Sequence, residues 1–188
     1  TAEFTYTFAG WSPSITAVTG AQTYTATYSS VKKQYEVIYK NEDGTVLQRS
    51  NVTYGETPAY SGETPTKPAT AEFTYTFAGW SPSITAVTGE QTYTATYSSV
   101  KNQYEVIFQN EDGTVLQRSN VTYGETPVYA GATPTKPATA EYTYTFTGWS
   151  PNVATVSGDV TYTAQFSQTK NKYTITWKNG NTTLKTEQ

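Results

Sequence analysis

The chain contains no cysteine, no methionine and no histidine, and each absence removes a class of chemistry. Without cysteine there is no thiol nucleophile and no disulfide framework; without histidine there is no imidazole base and no zinc site of the usual composition. Triad chemistry built on histidine is thereby excluded. Charge is also sparse, at 14% of residues with a formal net charge of −3, and Lys and Arg form no cluster. Neither nucleic acid nor an anionic membrane is expected as a partner. No apolar run approaches the roughly 20 residues a spanning helix needs, and no signal-peptide pattern opens the chain, so if the protein is exported its signal lies outside these residues. No cofactor is expected, and the redox compartment stays open.

What is present is threonine and tyrosine, with 17 Tyr and 4 Trp in 188 residues. That is strand chemistry rather than helix chemistry. The stretch Phe73-Thr74-Tyr75-Thr76-Phe77-Ala78-Gly79-Trp80-Ser81-Pro82 occurs three times, starting at Phe4, Phe73 and Tyr142. Its spacing is 73 − 4 = 69 and 142 − 73 = 69, a fixed period that marks a repeat architecture. Positions 1–69 and 70–138 differ at only seven places: Ala21/Glu90, Lys33/Asn102, Tyr39/Phe108, Lys40/Gln109, Ala59/Val128, Ser61/Ala130 and Glu63/Ala132. The third copy drifts further but keeps Gly148-Trp149-Ser150-Pro151.

Within the recurring stretch, aromatic and threonine residues alternate with the period of a half-buried strand. Three rings on one face can each bury about 150 to 250 Å², roughly 4 to 6 kcal/mol apiece before entropy at about 25 cal/mol per Å². The expected structural core is therefore Phe4, Tyr6, Phe8 and Trp11; Phe73, Tyr75, Phe77 and Trp80; and Tyr142, Tyr144, Phe146 and Trp149. The glycine before each Trp predicts a bulge that re-aims the indole inward. Ile15 and Val18, three apart after Ser-Pro, predict one helical or 3₁₀ turn. Thr23–Tyr28 alternates again and predicts a second strand, and the polar, basic Ser29–Gln34 reads as a seam.

A new strand is predicted from Tyr35, with Tyr35, Val37 and Tyr39 on one face. Asn41-Glu42-Asp43-Gly44 supplies the turn of a hairpin whose return arm is Thr45–Gln48. Gly55–Ala69 carries Pro58, Pro65 and Pro68 and predicts an extended crossover on the surface. In this frame residues 1–34 form the C-terminal half of a repeat, 35–103 and 104–172 are whole, and 173–188 form an N-terminal half.

These residues resemble the B-repeat of internalin-like surface proteins, the Listeria-Bacteroides repeat family. An aromatic strand ending in Gly-Trp (Tyr75–Trp80), a Val-Thr-Gly turn (Val87-Thr88-Gly89) and a Thr-Tyr strand (Thr92–Tyr97) follow that pattern. Tyr39–Leu47, Phe108–Leu116 and Trp177–Leu184 match its Lys-Asn-Glu-Asp-Gly-Thr-Val-Leu form. The resemblance implies small β-grasp-like units in tandem, exported and attached to a Gram-positive cell surface or wall, holding a distal binding domain outward. The aspartate of the family turn is present only as Asp159, and the long β-grasp helix has no home in the Pro-rich crossover. The fold expected is mostly β with little or no helix.

Other features have plainer readings. Trp11, Trp80 and Trp149 have the chemistry of a sugar-stacking platform, but Trp beside Gly at a strand end more often packs in a core. The turns at Asn41 and Asn110 lack the spaced ligands and closing Glu of an EF-hand, and Asn179-Gly180-Asn181 drops the acids altogether. Lys67 and Lys136 stand in a polar crossover, where an intramolecular isopeptide bond is not expected. Titratable groups recur scattered in every unit, so no catalytic constellation is expected. The function expected is a non-catalytic stalk or spacer, with an adhesin or carbohydrate-binding repeat as the alternative. Partners expected are neighbouring repeats; the terminal half-repeats read first as an arbitrary window on a longer chain, with copies of the chain itself, paired through those halves into a filament, as the alternative.

Overall fold

The computed structural model describes residues 1–188 and contains twelve strands and no helix. It divides into two compact units, one of residues 1–68 and 75–99, the other of 69–74 and 100–188. The first holds a hairpin of β1 (Phe4–Ser12) and β2 (Thr25–Lys32), then β3 (Gln34–Lys40), β4 (Val46–Thr53) and all but the outer ends of β5 (Phe73–Ser81) and β6 (Gln91–Lys101). These last four form one sheet in the order β4-β3-β6-β5. The second holds β7 (Gln103–Gln109), β8 (Val115–Thr122), β9 (Tyr142–Ser150) and β10 (Val160–Lys170), ordered β8-β7-β10-β9, and a separate hairpin of β11 (Ile175–Asn179) and β12 (Thr182–Glu187). Each four-stranded sheet is thus β-grasp-like, without the helix.

The hairpins form where turn chemistry allows. Gly44 and Gly113 take φ of +87° and +86°, a region that glycine enters without a Cβ clash. The Asp43 carboxylate accepts the Thr45 N–H at 2.9 Å and Asn41 Oδ1 accepts the Glu42 N–H at 2.9 Å, so side chains satisfy the turn's donors. The expected bulge is present at Phe8/Gly10 in β1 and again between β9 and β10, where Phe146 faces Phe166 and Gly148 faces Gln165. Thr147 is the residue left over.

First and last strands of each sheet lie side by side and parallel. Val37 to Lys40 face Gln91 to Thr94, and Val106 to Gln109 face Val160 to Thr163. The chain reaches this arrangement by carrying residues 54–72 from β4 at one sheet edge to β5 at the other. A helix commonly makes such a crossing; three prolines forbid it here. The segment instead lies across the sheet face with Pro58 and Pro65 buried, and so do Pro127 and Pro134 in the second unit. Gln48 pins it, donating to the Ala59 carbonyl at 3.0 Å and accepting the Ser61 N–H at 2.8 Å. The crossover is therefore a cover for the core rather than a surface connection.

Three further expectations need correction. The fully buried core is Val37, Tyr39, Val87 and Tyr93 in one sheet and Val106, Phe108, Val156 and Tyr162 in the other, not the aromatic strand. Phe73, Tyr75, Phe77, Trp80, Tyr142, Tyr144, Phe146 and Trp149 are half-buried, as is Phe4, while Tyr6, Phe8 and Trp11 are exposed. The reason lies in the register. Only Val160–Thr163 of β10 lie beside β7, whereas β9 pairs with β10 from Thr163 to Lys170, so most of the hairpin runs past the parallel pair and only its Trp end reaches the core.

The loop after Ser-Pro forms no helical turn. Val87 is placed instead by a pair of backbone bonds to the start of the crossover, Gly55 N–H to the Val87 carbonyl at 2.8 Å and Val87 N–H to the Glu56 carbonyl at 2.9 Å. Lastly, the seam is not the stretch Ser29–Gln34 but a single residue, because β2 runs to Lys32 and β3 starts at Gln34.

Candidate functional site

Two arrangements recur in both units. The first is the parallel central pair and the aromatic cluster beneath it. Tyr39 stacks on Tyr93 with ring centroids 5.2 Å apart, and Trp80 meets Tyr39 edge-on at 4.8 Å and Tyr60 at 4.9 Å. In the second sheet Phe108 stacks on Tyr162 at 5.0 Å, and Trp149 meets Phe108 at 4.7 Å and Tyr129 at 4.9 Å. Offset and edge-to-face rings of this kind each add about 0.5 to 1.5 kcal/mol beyond area burial. The indoles bulged inward by Gly79 and Gly148 thus lock the crossover's Tyr to the central strands. Trp80 and Trp149 spend their rings on this packing; Trp11 alone of the three is exposed, at 44%.

Tyr60 and Tyr129 were not among the residues singled out from sequence. A Tyr standing alone in a Pro-rich stretch was the available signal, since an aromatic there has little reason to persist unless it packs.

The cluster also contains an anomaly. The Tyr39 hydroxyl is buried with no hydrogen-bond partner, and burial, with Tyr93 alongside, pushes its pKa up. Phe108 fills the same place in the other sheet with nearly the same ring geometry.

The second arrangement ties the end of the crossover to the hairpin turn and the aromatic strand. Lys67 pairs with Glu42 at 2.5 Å and lies over the Tyr75 ring at 4.2 Å, and Lys136 pairs with Glu111 and lies over Tyr144 at 4.3 Å. Glu42 holds the Lys67 ammonium above its ordinary pKa. Asn41 closes the group in the first sheet: its amide donates to the Thr66 carbonyl at 3.1 Å, and its Oδ1 accepts the Tyr97 hydroxyl at 2.6 Å. Tyr97 has its pKa raised by burial and then by Glu42. Phe166 replaces that tyrosine in the second sheet, so Asn110 keeps the amide bond to the Thr135 carbonyl at 3.1 Å and the Glu111 N–H on its Oδ1 at 3.1 Å, without a hydroxyl partner. A buttress of this type fastens three chain segments.

The seam residues differ in what they hold. Asn102 donates from its amide to the Thr70 and Ala71 carbonyls at 2.8 and 3.0 Å and accepts the Thr74 hydroxyl at 2.8 Å. Its backbone bridges the Glu72 carbonyl and the Tyr123 N–H, and Tyr104 adds a hydroxyl bond to Ala71 at 2.6 Å. Asn171 repeats the set with Thr139, Ala140 and Thr143. Asp159, which stands where the first two copies have Ala21 and Glu90, accepts the Glu105 N–H at 2.8 Å.

No group of three His, Cys, Asp or Glu is placed to hold a metal ion, and no helix is long and apolar enough to cross a membrane. A depression of about 290 Å³ is lined by Pro151, Asn152, residues 154–160 and Tyr162.

No protein-family model matches the chain, and no curated protein does. Among solved structures it is similar to the Streptococcal High Identity Repeats in Tandem (SHIRT) domains 3-4 from a cell surface protein. The identity there is 14% and the TM-score 0.35, over 73% of this chain and 99% of that one.

Proposed function

We propose that the chain is a non-catalytic run of stalk repeats in an extracellular, cell-surface protein, holding a distal binding domain away from the wall. The observation that carries this reading is the parallel pairing of β3 with β6 and of β7 with β10. Tension along the chain enters each sheet at the start of its first strand and leaves at the end of its last. Because those two strands are adjacent and parallel, the pull is along both and in opposite senses. Their hydrogen bonds are loaded together rather than one after another, and the Trp, Tyr and Pro cover must slide at the same time. The unit's work is to resist extension.

The resemblance to the B-repeat family agrees with this reading, and so does the absence of any residue set suited to catalysis. Repetition at near identity supplies length, each unit contributing the same resistance.

Stretching single molecules tests the proposal. Two regularly spaced unfolding events are expected, each releasing roughly 20 nm of contour, from a 69-residue repeat at about 3.6 Å per residue less the span of the folded unit. A featureless extension with no such events would sink it.

A further inference from the structure

The two complete sheets depart from one another most in a single loop. Residues 83–91 and 152–160 run from the aromatic strand into the last strand of each sheet, and seven of these nine positions differ. Only six of twenty differ on either side, between 73–82 with 92–101 and 142–151 with 161–170. Loops set on a rigid sheet are where binding residues concentrate.

Packing changes with the sequence. Ile84 lies against the first core, whereas its counterpart Val153, one methylene shorter, is 38% exposed and outside the second. Val160, where the first sheet has Gln91, packs on the core instead. The loop's side chains are thereby freed from closing the core. Here lies the depression of about 290 Å³ lined by Pro151, Asn152, residues 154–160 and Tyr162.

Three fixings hold its shape. Val156 accepts the Gly124 N–H and donates its own to the Glu125 carbonyl, both at 2.8 Å, and Asp159 Oδ1 takes the Glu105 N–H at 2.8 Å. The Tyr162 hydroxyl lies 3.4 Å from both the nitrogen and the carbonyl oxygen of Ala154. Val156 and Tyr162 themselves turn into the core, 2% and 3% exposed. The polar lining residues Asn152, Thr155, Ser157 and Asp159 are exposed, and the first three make no side-chain hydrogen bond within the chain.

That chemistry selects a ligand. Asp159 is the only ionised group in the lining, so a phosphate or carboxylate meets no cation. A calcium ion takes about six to eight oxygens, and here one carboxylate has an oxygen already committed. An apolar molecule finds the largest apolar groups facing inward. What fits is a compact neutral molecule whose hydroxyls both donate and accept, because an amide, two hydroxyls and a carboxylate offer both. We propose that the β9–β10 loop seats a single neutral sugar unit, with Asn152, Thr155, Ser157 and Asp159 bonding its hydroxyls. The volume stands at the small end of ligand sites, which start at about 300 Å³, and suits one ring. The loop makes the contact rather than Trp149, whose ring is spent on Phe108 and Tyr129. The inference goes beyond the stalk reading and does not rest on it.

Backbone amide NMR shifts of the full chain test it, in titrations with glucose, galactose, mannose and N-acetylglucosamine, each free and as its methyl glycoside. At least one of these is expected to move the amides of residues 152–159 saturably, with a Kd of about 1 to 10 mM, and to leave those of 83–90 in place. A tighter methyl glycoside assigns the unit to a glycan chain, a tighter free sugar to a soluble monosaccharide. Asn152→Ala and Ser157→Ala, at exposed sites with no side-chain bond inside the chain, should each weaken binding about threefold to tenfold and leave amides outside the loop unmoved. Absence of a saturable shift at 152–159 with every probe, equal shifts at 83–90, variants that bind like wild type, or a loop that responds to calcium or inorganic phosphate instead would each overturn the proposal.

Discussion

Residues 1–34 and 70–103 differ only at Ala21/Glu90 and Lys33/Asn102, and both fold a bulged aromatic hairpin with a cis Ser-Pro bond after the Trp. In the second copy the strand pair borders β3 and lies under a crossover; in the first it borders nothing on that side. Tyr93 and Ala95 become fully buried there, while their counterparts Tyr24 and Ala26 are only half-buried. Side-chain alternation thus specifies which residues share a face, and a neighbouring strand decides whether that face is inside. Burying one valine in place of leaving it exposed is worth about 1.5 to 3 kcal/mol, so the identical letters at Val18 and Val87 differ by that order.

The sharpest way to break the comparison is to remove the indole from each copy. Trp80→Ala takes away the ring that joins Tyr39 to Tyr60 and is expected to destabilise the first four-stranded sheet by about 3 kcal/mol. Trp11→Ala, at an exposed site, should cost under about 1 kcal/mol. Hydrogen exchange at the β3 amides reads the local opening free energy, which is needed because a chain of two units does not unfold in one step.

A smaller effect separates the two complete sheets. The Tyr39 hydroxyl lacks a partner and the other sheet manages with Phe108. An unsatisfied buried polar group costs about 1 to 3 kcal/mol, so Tyr39→Phe is expected to stabilise its sheet by about 1 kcal/mol. Phe108→Tyr should destabilise the other by a similar amount. Urea unfolding of the paired variants, resolved by exchange at β3 and β7, checks both signs.

The smallest effect lies at the seam. Lys33→Asn is expected to create with Thr1, Ala2 and Thr5 the three side-chain bonds that Asn102 makes with Thr70, Ala71 and Thr74. Exposed bonds of this type contribute at the low end of about 0.5 to 1.5 kcal/mol, so the β1–β2 hairpin should gain about 0.5 to 1 kcal/mol and Asn102→Lys should lose as much at its own seam. Amide protection at Lys33 and Asn102 is the readout.

Much of the fold was legible from local chemistry. Alternating aromatic and threonine residues marked β5 and β9 as strands with one wetted face, Asn-Glu-Asp-Gly marked the hairpin turns, and glycine before Trp marked the bulges. What could not be read was the identity of the core. The aromatic strands look richest in apolar area, yet they sit at sheet edges and run past the parallel pair, so the core falls to Val37, Tyr39, Val87 and Tyr93. The crossover was read as surface for the same reason: prolines exclude a helix, but nothing local says that Pro58, Tyr60 and Pro65 roof the sheet.

Period, strand faces, turns and bulges follow from the chain alone, because each depends on the φ/ψ preferences and side-chain alternation of a few adjacent residues. Which face is dry, which strands become neighbours and which tyrosine is stranded without a partner were decided by tertiary structure. Those outcomes depend on the register between segments 54 residues apart, Val37 against Gln91 and Val106 against Val160, and burial is a property of that pairing rather than of either strand.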